Sequence, residues 1–206
     1  MAQNVYSLNT VGYVTALPGN NNYIAICNPV TNTSVANTLD NLIKSNTPAN
    51  AKVLKWNYAG VHFDAYTRVG FGNGWSPTTG AAATLNPGEG VFVTSPTATN
   101  ITFVGDVLDA KYYGIQTNSL RSGYELVGSK QPLQDSLPNL GLLPPHTTTP
   151  QDTVLKWNVA GQHYDAYTRV GFGIGWSPSI PTNNVGEGFF TKLFAPYTWT
   201  QNFTVQ

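Results

Sequence analysis

The stretch Val53–Pro77, VLKWNYAGVHFDAYTRVGFGNGWSP, returns 101 positions later as VLKWNVAGQHYDAYTRVGFGIGWSP at Val154–Pro178, and 21 of its 25 residues are identical. Self-similarity at a fixed offset indicates two copies of one structural unit. In a chain of 206 residues, this predicts a first unit over residues 1–106 and a second over residues 107–206. Whatever the unit needs for folding or function should therefore be present in both copies.

The alternation of side chains in this stretch predicts a β-hairpin. If Asn57–Gly60 forms the turn, Leu54 lies opposite Phe63 and Lys55 lies opposite His62. The face expected to contact the core carries Leu54, Trp56, Phe63 and Ala65. The other face carries Lys55, His62, Asp64, Tyr66 and Arg68. The second face is the more informative one for function, because it gathers the titratable groups.

The flanking sequence predicts further strands and one short helix in each unit. Strands are expected at Val5–Thr15, Tyr23–Cys27, Val91–Thr94 and Ile101–Val104, and at Phe189–Thr191 and Thr198–Val205. Helical spacing is seen at Val35, Leu39, Leu42 and Ile43, with Ser34 or Thr33 available as N-cap. The second unit repeats it with Leu133, Leu137 and Leu140, although Pro138 weakens that helix. We therefore predict a mainly β protein with two tandem sandwich-like or barrel-like repeats, each with one short helix.

The low charge content restricts the partners. Only 10% of the residues are charged, against about 25% in typical proteins, and the net charge is zero. Because there is no basic stripe, nucleic acid is not expected as a partner. No run of 18 apolar residues is present, so no helical membrane span is expected. The polarity comes from Asn, Thr, Ser, Gly and Gln. Such uncharged surfaces suit extracellular association or carbohydrate contact, and the alternative is a surface that is simply solvated.

The single cysteine, Cys27, excludes an intrachain disulfide and any multi-cysteine metal site. It ends an apolar run, and its counterpart in the second unit is Gly128. This context favours a buried, unreactive thiol. Neither a cofactor nor a metal ion is expected.

Both copies contain a His-x-Asp pair, His62 with Asp64 and His163 with Asp165. On one strand face, such a pair suits either metal binding or a base with its orienting carboxylate. A metal site normally needs a third protein ligand, and the remaining histidine, His146, is not duplicated. The alternative is a hydrogen-bond cluster with Lys55 and Arg68, in which Lys55 contacts Asp64 diagonally.

Two glutamates recur between glycines, Glu89 and Glu187. A pair of carboxylates across one cleft is the arrangement of a glycosidase. A glutamate at the start of a strand also serves as an acceptor of backbone N–H groups, so a structural role is the alternative.

A tryptophan follows the glycine-rich loop in each copy, Trp75 and Trp176. If these indoles are exposed, they offer stacking platforms for a sugar ring, assisted by Tyr66 and Tyr167. If they fold back, they cover the core of their own unit. Arg68 and Arg169 complete the set of candidate ligand-binding or interface residues.

Several segments together resemble a group of uncharacterised secreted bacterial proteins with two such units. They are Tyr6–Val14, Asn28–Val30, Lys55–Asn57, Gly74–Trp75, Leu85–Phe92 and Thr102–Gly105. The resemblance implies export, with Met1 standing in for a removed signal, and it assigns no catalytic residue. The second unit departs from the pattern, since Val185 replaces Pro87. This departure predicts that the two halves are not equivalent in function.

These features lead to three hypotheses. The first is a secreted, non-enzymatic structural protein that associates with itself into a fibre, surface layer or matrix. The second is a carbohydrate-binding module with one aromatic site per repeat. The third is a hydrolase that uses the glutamates or the His–Asp pairs, for which no catalytic motif gives support.

Overall fold

The computed structural model describes residues 10–144, 151–171 and 175–204. In each unit, the duplicated hairpin lies within a five-stranded antiparallel sheet. The first sheet has the order β2 (Ile24–Cys27), β6 (Gly90–Thr94), β3 (Lys52–Asn57), β4 (His62–Arg68), β5 (Trp75–Ser76). The second has the order β9 (Gly123–Gly128), β15 (Gly188–Leu193), β11 (Thr153–Asn158), β12 (His163–Arg169), β13 (Trp176–Ser177). The two sheets therefore repeat one topology.

Each unit also has a two-stranded antiparallel ribbon formed by its first and last strands. In the first unit, β1 (Thr10–Leu17) pairs with β7 (Thr99–Asp106). In the second, β8 (Gln116–Leu120) pairs with β16 (Tyr197–Gln201). A short ladder joins β10 (Asp135–Ser136) to β14 (Thr182–Asn183), and the helices are α1 (Leu39–Leu42) and α2 (Ala110–Tyr113).

Alternation along the sheets sends side chains into two different cores. Val53 packs with Phe103 of the ribbon inside the first unit, and Val154 packs with Trp199 inside the second. The opposite faces of the two sheets meet in a third cluster that contains residues of both units. Its members are Ala25, Phe92, Leu126 and Phe190, with Leu54, Trp56, Phe63, Leu155 and Trp157 packed against them. The protein is thus mainly β, with two sandwich repeats whose sheets share an aromatic layer.

The contacts across this shared layer are reciprocal. Trp56 Nε1 donates to the carbonyl of Tyr124 at 2.8 Å, and Trp157 Nε1 donates to that of Tyr23 at 2.9 Å. Isolated β-bridges likewise join Ile26 to Glu187 and Glu89 to Val127. Because each contact has a counterpart with the units exchanged, the halves are related by an approximate twofold axis.

The duplicated hairpin has the predicted faces but a different register. Leu54 lies opposite Ala65, and Trp56 lies opposite Phe63, so the pairing is displaced by two residues from the expected one. The reason is that the turn has the expected four residues but lies one position later: residues 58–61 lie between the strands, and Val61 adopts a positive φ of 53°. A displacement of two leaves every side chain on its predicted face.

The helices differ more from the prediction. The first begins at Leu39, because Thr38 rather than Ser34 or Thr33 accepts the capping hydrogen bond, from the Asn41 N–H. In the second unit, the described residues contain no helix over 133–140, and Pro138 lies within that segment. The second helix, α2, instead lies between the two units.

The strand bounds are close to the predicted ones where the structure describes them. The first half of the predicted Val5–Thr15 strand lies outside the described residues, as does Val205. The predicted Thr198–Val205 strand was too long, because the strand ends at Gln201 and residues 202–204 lie outside it. No helix in the described ranges has the length and apolarity required to cross a bilayer.

Candidate functional site

The two tryptophans after the glycine-rich loops lie in the unit cores. Trp75 is 2% exposed and Trp176 is 3% exposed, so of the two alternatives the structure shows the one in which each indole covers the core of its own unit, and neither is an exposed stacking platform. Tyr66 and Tyr167 pack against the same cores. The indoles are buried because the chain turns back after the loop and pairs β5 with β4, and β13 with β12. The glycan hypothesis therefore loses the residues on which it was based.

The two arginines of the candidate set hold these loops in place. Arg68 lies 5.4 Å from the centre of the Trp75 ring, and Arg169 lies 5.1 Å from that of Trp176. Arg68 Nη1 also donates to the carbonyl of Gly74, as Arg169 Nη1 does to that of Gly175 at 2.5 Å. Each guanidinium thus joins its tryptophan to the end of the preceding loop.

The His–Asp pairs belong to exposed clusters that brace the hairpin turns. His62 Nε2 lies 3.1 Å from Asp64 Oδ1, and Asn57 Nδ2 donates to Asp64 Oδ2 at 3.1 Å. The side-chain oxygen of Asn57 accepts a hydrogen bond from the Gly60 N–H at 3.0 Å, and this bond closes the turn. Asn57 was not among the predicted residues, although its place before the turn is a typical signal for such a role.

The second copy repeats this cluster, with His163 Nε2 at 3.3 Å from Asp165 Oδ1 and Asn158 at 3.2 Å from Asp165 Oδ2. Within the described ranges, no group of three or more His, Cys, Asp or Glu side chains is placed to hold a metal ion. His146 lies outside those ranges. The geometry supports a structural role for both pairs.

The recurring glutamates are each paired with a lysine of the hairpin. Lys55 Nζ lies 3.0 Å from Glu89 Oε2 and donates to the Thr84 carbonyl at 2.6 Å, so the predicted contact of Lys55 with Asp64 is wrong. Lys55 lies directly opposite Asp64, but its side chain extends towards the loop before β6. Lys156 Nζ lies 2.9 Å from Glu187 Oε1 in the same way.

Both glutamates also close the turn before their strand. Glu89 Oε2 accepts from the Asn86 N–H and Glu187 Oε2 from the Asn184 N–H, each at 2.9 Å. Burial raises the pKa of Glu89, but the charge of Lys55 and the hydrogen bonds lower it more, so this pKa lies below its ordinary value. The prediction that these carboxylates accept backbone N–H groups is confirmed.

The thiol of Cys27 is fully buried at the junction of the units, as predicted. Burial raises its pKa far above the ordinary value, and the charge of Glu187 raises it further. The thiol lies against Gly128, where an added Cβ would be 2.2 Å from Cys27 Sγ. Cys27 and Gly128, which occupy equivalent positions in the two units, therefore pack directly against each other.

A surface cleft lies where the shared layer reaches the surface beside β1. Its volume is about 180 Å³. The apolar side chains Ile24, Trp157 and Val159 contribute to its walls, together with Tyr13 and Glu187. The Tyr13 hydroxyl donates to the carbonyl of Val185, which ties the ribbon of the first unit to the second. Both units form this site, so no local pattern could have predicted it.

The equivalent position on the other side of the twofold axis is a smaller cleft of about 110 Å³, beside Gly88, Glu89 and Asn118. There Tyr58, the counterpart of Val159, donates from its hydroxyl to the Ser122 carbonyl at 2.7 Å. The Arg121 guanidinium lies 4.0 Å from the centre of the Tyr58 ring and pairs with Glu125 at 2.7 Å.

The differences between the two copies are concentrated at this seam. The exchange of Tyr58 for Val159 is one such difference. A second is Gln162 in place of Val61, and Gln162 Oε1 accepts a hydrogen bond from the Tyr23 N–H at 2.8 Å. Tyr164 replaces Phe63, and its ring centre lies 6.2 Å from that of Phe92 in the first unit. The duplicated sequence has therefore diverged mainly where one unit meets the other.

The glycine-rich loop of the first unit exposes one aromatic side chain. Phe71 is 76% exposed, more than any other large apolar side chain in the described ranges. Gly72 and Gly74 adopt positive φ values of 59° and 85°, and the Gly74 N–H donates to the Phe71 carbonyl at 3.0 Å. The loop is thus a closed turn that presents Phe71 at its tip.

Comparison with known proteins gave no relative: no family model, no curated protein and no solved structure matches this chain.

Proposed function

We propose that this chain is a secreted, non-enzymatic structural protein that associates with itself through its ribbons. Within the described residues, each of the strands β1 and β8 has a strand partner on one edge only. Their partners β7 and β16 also pair with a strand on one side only, and these ribbon edges are the observation that carries the proposal. Secretion is supported by the resemblance to exported bacterial proteins.

The composition of the ribbons favours pairing with other strands. Proteins usually protect an exposed edge with charged residues, proline or a bulge. Neither Thr10–Leu17 nor Gln116–Leu120 contains a charged residue or a proline, although Lys130 Nζ donates to the Thr117 carbonyl of β8 at 2.7 Å. The outward-facing side chains are small and uncharged: Gly12, Val14, Ala16, Asn100, Val104, Thr117, Ser119, Thr198 and Thr200. Such a surface costs little to desolvate when a second strand approaches.

The position of the ribbons favours propagation. Each ribbon covers the sheet face that points away from the shared layer, so the ribbons lie on opposite sides of the molecule. Addition of β8 of one copy to β1 of the next leaves a free edge at each end. Contacts of this head-to-tail kind form open chains when the rotation does not close a ring.

Light scattering across protein concentration, followed by negative-stain electron microscopy, tests this function. We expect a molar mass that rises with concentration and regular linear assemblies. The double variant Val14→Lys, Thr117→Lys should remain at the monomer mass, because it places a charge on each ribbon. Val35→Lys is the control, since Val35 is an exposed valine outside the ribbons. A native protein that stays monomeric at high concentration would exclude self-association as the function.

A further inference from the structure

We propose that a groove beside β7 of the first unit binds a neutral oligosaccharide built of N-acetylated sugars. The inference goes beyond the proposed self-association and does not depend on it. A structural protein with such a site can attach its assembly to a polysaccharide.

The groove lies where α1 and the turn Lys44–Asn46 run alongside β7. Two adjoining clefts form it, with volumes of about 360 and 270 Å³, and they share Asn32 and Val104. The larger volume falls within the range of about 300–1,000 Å³ that is typical of small-molecule sites. Because the two clefts are continuous, the groove suits an elongated ligand of more than one ring.

The chain itself covers part of the β7 edge at this groove. Thr31 and Asp106 exchange two backbone hydrogen bonds, of 2.9 and 2.7 Å, at the end of the strand. Beside the rest of the strand, α1 takes the place in which a further strand would pair. A strand of a second copy is therefore not the occupant that the geometry favours, and the proposed assembly uses the edge of β1 instead.

The lining of the groove favours a neutral ligand. The larger cleft is lined by three asparagines, a serine and a threonine, with Leu42 and Val104 as its apolar members. Among the described residues, no lysine or arginine lines either cleft, so an anion would find no countercharge there. The carboxylate of Asp106, at the far end, is buried and accepts from the Tyr113 hydroxyl at 3.1 Å.

Several polar side chains of the groove are available to a ligand. Within the part of the chain that the structure describes, the side chains of Ser45, Asn46 and Thr102 make no hydrogen bond. A ligand that pairs with them displaces water and breaks no contact of the fold.

Two further asparagines are held in fixed orientations. Asn32 Oδ1 accepts from the Ser34 N–H at 2.9 Å and the Val35 N–H at 3.2 Å, which leaves the Nδ2 group as a donor. Asn41 Nδ2 donates to the Ala36 carbonyl at 2.8 Å, which leaves Oδ1 as an acceptor. An acetamide group has one carbonyl acceptor and one N–H donor, so it matches this pair.

The apolar contacts of the groove also fit an acetyl group. Val104 is 53% exposed and offers its methyl groups beside the asparagines. No aromatic side chain from the described ranges lines either cleft, so the groove provides no surface on which a bare sugar ring could stack. The acetyl methyl, rather than the sugar ring, is therefore the apolar part that the groove recognises.

We expect one such site per chain. The wall that α1 provides has no helical counterpart over residues 133–140 of the second unit, which lie within the described ranges. The groove is thus a place where the two units differ in what they can bind.

Calorimetric titration of the full native chain with N-acetylchitotetraose tests the inference. Cellotetraose is the matched control, because it has the same linkage and differs only in carrying a hydroxyl where the acetamide stands. We expect one site for N-acetylchitotetraose and an affinity for cellotetraose at least about tenfold lower, since the acetamide hydrogen bonds are lost. No binding of N-acetylchitotetraose, or equal binding of the two, would overturn the inference.

A double variant locates the site. Ser45→Ala with Asn46→Ala should weaken N-acetylchitotetraose binding by about tenfold and leave the fold intact, because neither side chain holds the structure together. Asn22→Ala is the control, since Asn22 is an exposed asparagine outside the groove. Equal affinities of the two proteins would place the ligand elsewhere and contradict the proposal.

Amide NMR spectra separate this inference from the proposed function. We expect the signals of residues 32, 41, 46, 102 and 104 to shift on addition of N-acetylchitotetraose. If these signals instead respond only to protein concentration, the groove is a contact between copies and the inference is wrong. Binding by a chain that stays monomeric would support the groove while excluding self-association.

Discussion

The two units contain nearly the same 25-residue stretch, yet the same residues meet different surroundings. In the first unit, Trp75 Nε1 donates to Asp40 Oδ1 of α1 at 3.1 Å. In the second unit, where Pro138 replaces that helix by a turn, the buried Trp176 Nε1 has no hydrogen-bond partner among the described residues. The comparison teaches that duplication preserved the hairpin and the apolar faces, whereas the contacts around them diverged.

The largest expected effect concerns the layer that the units share. Phe92 and Phe190 occupy equivalent positions, opposite Leu54 and Leu155. Replacing either by Ala should lower the free energy of unfolding by about 3–5 kcal/mol, because each leaves a cavity among aromatic rings. Urea denaturation measures the free energy of unfolding. Phe194→Ala is the control, because Phe194 is exposed, and it should change this free energy by less than about 0.5 kcal/mol. Two separate unfolding transitions, with one unit unaffected, would show that the layer does not couple the units.

A smaller effect is expected where the units differ by one side chain. Gly128→Cys should destabilise the protein by about 1–3 kcal/mol, because the new side chain overlaps Cys27. Adding Cys27→Gly to the same chain exchanges the two residues across the twofold axis and should recover part of the loss, because the overlap with Cys27 is removed while the Glu187 carbonyl oxygen, 2.8 Å from the added Cβ, remains. Thermal unfolding of the single and double variants provides the comparison. If the double variant is no more stable than Gly128→Cys alone, the two positions are not a packing pair.

The two tryptophans should respond differently to the same substitution. Trp75→Phe removes a hydrogen bond to the carboxylate of Asp40, whereas Trp176→Phe removes an N–H group that has no partner. We expect Trp75→Phe to lower the free energy of unfolding, measured by urea denaturation, by about 1–2 kcal/mol more than Trp176→Phe does. The cavity left by the smaller ring is similar in both units, so each variant is the control for the other. Equal losses would mean that the contact with Asp40 adds no net stability.

The smallest effect is a dependence on pH. Because the pKa of Glu89 is lowered in the folded protein, its contribution to stability is present above the ordinary glutamate value of 4.5 and is lost as the pH falls through the folded pKa. The difference in unfolding free energy between the native protein and Glu89→Gln should therefore narrow from about pH 6 to about pH 3. A difference that stays constant or widens over this range would show that the carboxylate of Glu89 is not stabilised by its ion pair with Lys55.

Sequence reasoning succeeded where local rules determine the outcome. Alternation placed Leu54 and Trp56 on one face and His62 and Asp64 on the other, and this holds in the structure. The register could not be predicted, because it depends on a turn in which Val61 adopts a positive φ. The burial of Trp75 was one of two alternatives, and only the pairing of β5 with β4 decides between them.

The shared layer and the cleft lay beyond what the sequence could show. The apolar face of the hairpin was expected to contact a core, but nothing in its pattern identifies the opposite unit as the partner. Likewise, the exchange of Tyr58 for Val159 is one of four differences between the copies, and its effect depends on Ser122 and Arg121 across the seam. Contacts between residues far apart in the chain require the fold.

Self-association of the native chain is the central prediction, so the decisive measurement is the molar mass of the protein by light scattering as a function of concentration. A single chain has a mass of 22.2 kDa. We predict a mass that increases steadily with concentration, while the variant with lysine at positions 14 and 117 remains at the monomer value. A mass of one chain at every concentration, for both proteins, would contradict the account.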